Sequence, residues 1–559
     1  MSTSTAQQNV FREHFDRLEP RLCDHMPSWL GKMRRAAIGR VAERGLPSKK
    51  DEDWRRTPLA PLLETPFAPG PLEGHRVAPT DASPVLDHGA TGVPPVLDGP
   101  WAGAHPSFQG VLASAGALSK GAEQSHEADL QAAAGPRLVF VDGVFAPALS
   151  VGDGLAPNVY FGSLTGALRA DPDLVGEHFG RCLPRDHAFA EVNTALFADG
   201  GLLIVPPETV LDTPIHLVCI STEPEQPVAV HPRHLIVVGR HAQATVVETY
   251  IDATDISPVH DPGATGVSPV LTNSVTEILL DDGARLDHYL MQRQPWSALH
   301  LSNVAAVQRA SSHFETHLIA LGGSLARHET GTRLEGEGSH ATLNGLYMPR
   351  GEQHLECRTR IDHAVPHCTS HEVYKGIIDD RGVGVFNGKI FVHQDAQKTD
   401  AKQSNQALLL SDLATINTKP QLEIFADDVR CTHGATVGQL DAEALFYLRS
   451  RGLSDEHARS LLIYAFAGEV VEGIRLPLVR HQVEQVLLDA RGLPPEVAVD
   501  DGALDRRWLS GDQQAVDQPT AASAESRPTG WGRSGRERSD SQPASGERNS
   551  NEQIAEEAR

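Results

Sequence analysis

The chain has 559 residues, enough for a large core or roughly two to four domains, and its hydrophobic content of 40% with 5% aromatics suits a globular interior of Val, Leu, Ile and Ala. Its 73 acidic against 49 basic residues give a formal net charge of -24 with no Lys/Arg cluster, which excludes nucleic acid as the expected partner. The first twenty residues lack the basic and apolar regions of a secretory signal and no apolar run reaches membrane-spanning length, so a cytoplasmic protein with no membrane partner is expected.

Residues 1–75 predict an N-terminal helical region, with Phe11, Phe15, Leu18 and Leu22 three and four apart and a second helix near Trp29 to Val41. Residues 76–136, rich in Gly, Pro, Ala and Ser without a steady period, predict a loop or linker insertion, and 137–189 a segment connecting to the core. Ser83–Leu97 (SPVLDHGATGVPPVL) recurs as Ser257–Leu271 (SPVHDPGATGVSPVL), matching at 12 of 15 positions. Two copies do not make a solenoid, which needs about three stacked units, so the pair predicts a duplicated element accepted in two surface loops, the second an insert near 256–272.

From 190 to 430 short β-branched runs (HLVCI, HLIVVG, TVVETYI, VGVFNGKIFV) alternate with turn signals such as DDG, LGG, EGEG and DDRG. No long helical period intervenes, so the core is expected to be mainly β, as a barrel, a sandwich or a coiled β-solenoid; the period does not choose among them. Residues 431–500 predict helices: one capped by Asp441 and stopped at Gly452, and one capped by Ser454 with Leu462, Phe466, Val470 and Ile474 four apart. A third follows Pro477. Residues 501–559, with almost no aliphatic content, predict a disordered tail.

The six cysteines (Cys23, Cys182, Cys219, Cys357, Cys368, Cys431) are scattered and include no CxxC pair, which argues against a disulfide framework and against a self-sufficient four-cysteine cluster site. The sharpest local pattern is DDVRCTHGATVG, residues 427–438. In an extended chain Cys431 and His433 share a face, about 6.6 Å apart at ~3.3 Å per residue, and could hold one iron-compatible atom each. From spacing alone the commoner outcome for Cys-x-His is a buried thiol beside a hydrogen-bonded imidazole. A second cluster, His363, His367, Cys368 and His371, has some helical spacings but contains Pro366. His313, His317 and His328 are expected to be structural or surface residues, and Cys219 and Cys357 core ones. GxxxxGK[ST], GxSxG and HExxH are absent, and no GxGxxG follows a strand and opens a helix, so no familiar catalytic apparatus is predicted.

The stretch from YKGIIDDRGVGVFNGKIFV to CTHGATVGQLDAEALFYLRSRGL (374–453), continuing into LLIYAFAGEV, resembles the SufB/SufD family of iron-sulfur cluster assembly proteins. GLPSKKDEDWRRTPL (45–59) is similar to that family's N-terminal motif, and RLVFVDGVFAPALS (137–150) to the segment leading into its core. CTHGATVGQLD resembles the SufD type, because SufB proteins carry Glu just after the corresponding His, where this chain has Gly434. The resemblance implies a right-handed parallel β-helix core with N- and C-terminal helical parts. It implies a non-catalytic scaffold subunit of a hetero-oligomer, paired with a SufB-type subunit and a SufC-type ATPase, that builds or delivers nascent Fe-S clusters and assists iron acquisition.

By the same resemblance Cys431 and His433 match family positions at the SufB interface, as transient metal ligands whose missing partners the other chain supplies. The stripe Leu462, Phe466 and Val470 is the expected ATPase contact. No cofactor is expected to be stably bound to the chain alone, and a flavin in the complex has no support in the sequence. The alternative is a metal-dependent β-helix or cupin-like enzyme using the His363 to His371 cluster.

Overall fold

The computed structural model describes residues 3–72, 135–183, 187–222, 224–252 and 268–489. The first duplicated segment, most of the second and the tail predicted at 501–559 lie outside the described residues, as does nearly all of the insertion predicted at 76–136.

The centre is a parallel β-solenoid of about seven turns, each turn giving one strand to each of two sheets. The first sheet stacks Gly201–Val205, Arg233–Val238, Val270–Leu280, Leu299–Gln308, Leu325–Leu334, His354–His363, Val383–Val392 and Thr415–Ile424. The second stacks Arg137–Val141, Ile215–Ser221, Gln243–Asp252, Arg285–Gln292, His313–Ala320, His340–Tyr347, Thr369–Ile378, Asp400–Leu409 and Arg430–Gly438. Parallel pairing buries both strand faces, which explains the near-continuous Val/Ile/Leu runs. One face of each sheet points inward, where Ile236, Leu286, Phe314, Leu343, Phe386 and Ile390 are fully buried in one core.

The turns vary in length. Arg285 pairs with His313, a step of 28 residues, and Val383 with Thr415, a step of 32. Gln243 pairs with Arg285 across 42 residues, and the second duplicated segment lies within that longer step, which leaves the register of the flanking strands intact. Corners between the sheets turn on left-handed residues, among them His241 (φ 55), Gly283 (φ 66), Ser311 (φ 55) and His367 (φ 61). At Gly283 a Cβ would lie 2.2 Å from His241 Nδ1 of the preceding turn, so glycine is required there by stacking as well as by φ.

The N-terminal helices Thr3–Leu22 and Ser28–Arg44 cover the outer face of the first sheet. Phe11, Phe15, Leu18 and Leu22 are buried with Phe189, Leu299, Leu301 and Leu325. Within the 45–59 motif, the Trp54 ring lies 3.7 Å under the Arg327 guanidinium. Thr57 Oγ1 donates to Glu356 Oε2 at 2.6 Å.

At the other end, the helices Ala442–Ser450, Asp455–Gly473 and Pro477–Asp489 follow the last strand, which extends to Gly438. The second and third bury Ile463, Ala467, Val470, Val471, Val479 and Val483 against Tyr289, Ile319 and Leu346 on the outer face of the second sheet. Asp441 and Ser454 cap the first two through Glu443 N–H and His457 N–H. Among the described residues no helix is long and apolar enough to cross a membrane.

Candidate functional site

The last strands of the two sheets, Thr415–Ile424 and Arg430–Gly438, lie at the same end of the solenoid and in contact, and among the described residues each pairs with one neighbour only. Both sheets therefore end together, and the strand Arg430–Gly438 is exposed along its length except at Cys431. Around this end Leu413 (66%), Phe425 (59%) and Val437 (49%) stand exposed, with the Phe425 ring 5.2 Å from that of Phe391. Unpaired edge N–H and C=O groups are a template for another chain. Pro420 is tolerated in the strand beside it because that strand is also at an edge.

Cys431 and His433 stand two apart on this last strand and share the inward face, in register with Ala401 and Gln403. The Cys431 thiol is half-buried and packs against the interior core; burial pushes it above its ordinary range. It is therefore a neutral thiol at pH 7, and a metal binding it must displace the proton. His433 is exposed. Gly434 has open space where a Cβ would stand, so no packing demand fixes glycine there. The pair offers one sulfur and one nitrogen, two of the four donors an iron-sulfur site ordinarily takes.

Beneath His433 runs a column of inward side chains in strict register: Glu372 pairs with Gln403, and Gln403 with His433. Glu372 is fully buried, and among the described residues no cationic side chain pairs with it. Its carboxyl accepts from Thr359 Oγ1 and from Gln403 Nε2, the latter at 2.8 Å. Burial raises its pKa to about 7, against the lowering effect of those two hydrogen bonds. Sequence inspection missed both residues. Their signal is the spacing of one solenoid turn, 31 residues from Glu372 to Gln403 and 30 from there to His433.

The second sequence cluster does not converge. His363 points inward and its Nε2 bonds Ser370 Oγ at 2.9 Å, whereas His371 is exposed on the outer face of the other sheet. His367 occupies a left-handed corner and Cys368 lies in the core, 3.2 Å from Ser339 Oγ. Cys219 and Cys357 are core residues, His317 and His328 are buried, and His313 is exposed. Among the described residues no three His, Cys, Asp or Glu side chains come together as a metal site.

Of the predicted ATPase-contact stripe, Val470 is buried on the second sheet, and Leu462 and Phe466 are half-buried. Val470 therefore has no surface to give a partner. The exposed apolar side chains of the C-terminal helices are Phe446 (74%) and Tyr447 (50%), on a helix with no buried residue.

These features define a mainly β protein, a parallel β-solenoid flanked by terminal helices with a thiol and an imidazole on its last strand. The family profile described as "SUF system FeS cluster assembly, SufBD core domain" matches residues 219–466, and "SufBD protein N-terminal region" matches 118–217. The chain is 31% identical to the iron-sulfur cluster assembly protein SufD of Escherichia coli over 440 residues, covering 78% of this chain and 88% of that one. It is 36% identical to a SufBD family iron-sulfur cluster assembly protein of Synechocystis over 62% of this chain and 76% of the relative. To SufD of Bacillus subtilis it is 27% identical, covering 59% and 73%. The chain belongs to the SufBD family of iron-sulfur cluster assembly proteins and is SufD-like.

Proposed function

We propose that the chain is the SufD-type subunit of a cluster assembly complex and works without catalysis of its own. Its open solenoid end pairs with a SufB-type subunit, and the nascent cluster forms at the seam as transient cargo, with Cys431 and His433 contributing from this side. The observation that carries this reading is the coincidence of the two edge strands, each with one side free among the described residues, with the inward Cys-x-His pair on one of them. A partner strand laid against that edge would bring its own side chains opposite His433, which supplies the donors this chain lacks.

The SufC-type ATPase docks on the C-terminal helices, through the exposed Phe446 and Tyr447 together with Leu462 and Phe466. The helix Asp455–Gly473 then carries the ATPase motion to the solenoid, because Lys375 on the second sheet donates to the Phe466 carbonyl at 2.9 Å and pairs with Glu469 at 2.9 Å. Iron delivery to the seam and a cytoplasmic location complete this reading.

The test is co-expression with SufB- and SufC-type partners, comparing wild type with His433→Ala. Intact assembly with lost cluster absorbance is expected. Full cluster formation by a double variant lacking both the thiol and the imidazole would overturn the site.

A further inference from the structure

The amide of Gln403 is a buried group with one end unaccounted for. Its side chain is 3% exposed, its Nε2 donates to Glu372 Oε2 at 2.8 Å, and its Oε1 has no hydrogen-bond partner although it is buried. The structure fixes the orientation: the Glu372 carboxyl accepts from Gln403 Nε2 through one oxygen and from Thr359 Oγ1 through the other, so the amide nitrogen faces Glu372 and the amide oxygen is the free end. Glu372 is held in turn by the Thr359 hydroxyl. The strand Val383–Val392 of the opposite sheet leaves room for this arrangement at Gly388, where a Cβ would lie 2.3 Å from Gln403 Nε2.

Buried acceptors without a donor are uncommon in folded chains and call for an explanation. The next inward side chain along the column is His433, one strand further on and in register, at the ~4.8 Å spacing of neighbouring strands. Imidazoles that bind metals nearly always donate their other ring N–H to an oxygen, which fixes tautomer and ring orientation.

We propose that Gln403, turned by Glu372, is a positioning residue of the cluster site: its Oε1 accepts the N–H of His433 and leaves the other ring nitrogen, with its lone pair, facing the iron. The inference rests on the reading of His433 as a cluster ligand. The free acceptor is then the waiting half of a hydrogen bond that forms when a partner closes the solenoid end and the exposed imidazole is confined.

The experiment uses the chain co-expressed with SufB- and SufC-type partners and reads the cluster absorbance and formation rate of the purified complex. Gln403→Met keeps the volume but removes the acceptor, and cluster formation is expected to fall by about 10- to 100-fold with assembly intact. Gln403→Glu keeps an oxygen for His433, and by sharing a proton with Glu372 keeps the inner contact as well, so it is expected to restore most of the rate. A merely structural role would not separate two variants of equal melting temperature in this way. If Gln403→Met fails to assemble, Gly388→Ala displaces the amide without deleting a polar group, and the same loss is expected.

Wild-type rates in Gln403→Met or in Gly388→Ala, or equal impairment in Gln403→Met and Gln403→Glu, would overturn the proposal. His433→Ala is run beside them. Its loss of clusters together with unaffected Gln403→Met sinks this inference alone, whereas unaffected His433→Ala sinks the underlying site as well.

Discussion

The Arg327 guanidinium lies 3.7 Å over the Trp54 ring and at the same time donates to Glu356 Oε1 at 2.7 Å, so the N-terminal motif is fastened to the solenoid through a fully buried ion pair. The same guanidinium bonds the Asp53 carbonyl and Thr57 Oγ1, each at 2.9 Å. The motif GLPSKKDEDWRRTPL thus works as a clasp between chain segments 270 residues apart.

Removing one member of such a pair strands the other in a low-dielectric setting. Arg327→Ala is therefore expected to destabilise the chain by about 3–5 kcal/mol, and the double variant Arg327→Met, Glu356→Leu by much less than the sum of its single changes. Urea unfolding of the full chain measures both. Additive single and double effects would show that the clasp is not an electrostatic unit.

Lys375 fastens the other end, its 7% exposed side chain donating to the Phe466 carbonyl and pairing with Glu469. Lys375→Met keeps most of the aliphatic packing but frees that carbonyl and carboxylate. Faster amide hydrogen exchange is expected over Asp455–Gly473, with the interior strands unchanged, because local opening of one docked element costs less than global unfolding. Uniform acceleration across the whole chain would contradict a local latch.

The parts visible in the sequence are those set by neighbours along the chain. Phe11, Phe15, Leu18 and Leu22 are buried as their spacing requires, and Asp441 and Ser454 cap the helices they precede. The strands were visible too, but the choice of a solenoid over a barrel was not. All these folds share the two-residue alternation, and turn lengths running from 26 to 33 residues, with one of 42, blur any repeat. Cys431 and His433 stood out because they are two residues apart. Glu372 and Gln403 did not, since only stacking of successive turns brings them under His433.

Glu372 makes stability depend on pH. Its folded pKa of about 7 lies above the ordinary ~4.3 of an unfolded glutamate, so between those values the folded chain keeps a proton that the unfolded chain has lost. The contribution is fully present below about pH 4.3 and is lost as pH rises through about 7, an effect on the order of 3 kcal/mol at ~1.4 kcal/mol per unit. Glu372→Gln removes the titration. Between pH 5 and pH 8 its stability should therefore rise relative to wild type by up to about 3 kcal/mol, as urea unfolding at the two values would report. Parallel pH profiles would mean that Glu372 does not carry this proton.

The two exposed apolar regions make opposite predictions for the two partners. Phe425 and Val437 flank the open solenoid end, whereas Phe446 lies on the first C-terminal helix. Because all three are solvent-exposed, each change to Glu should alter the stability of the chain alone by no more than about 0.5 kcal/mol. Phe425→Glu with Val437→Glu places desolvated charges in an edge-to-edge seam and is expected to weaken capture of the SufB-type subunit by at least about tenfold. Phe446→Glu should leave that pairing intact and weaken the ATPase instead. Titration of the purified chain with each partner separates these effects, and loss of both partners from either variant would mean that one surface, not two, holds the complex together.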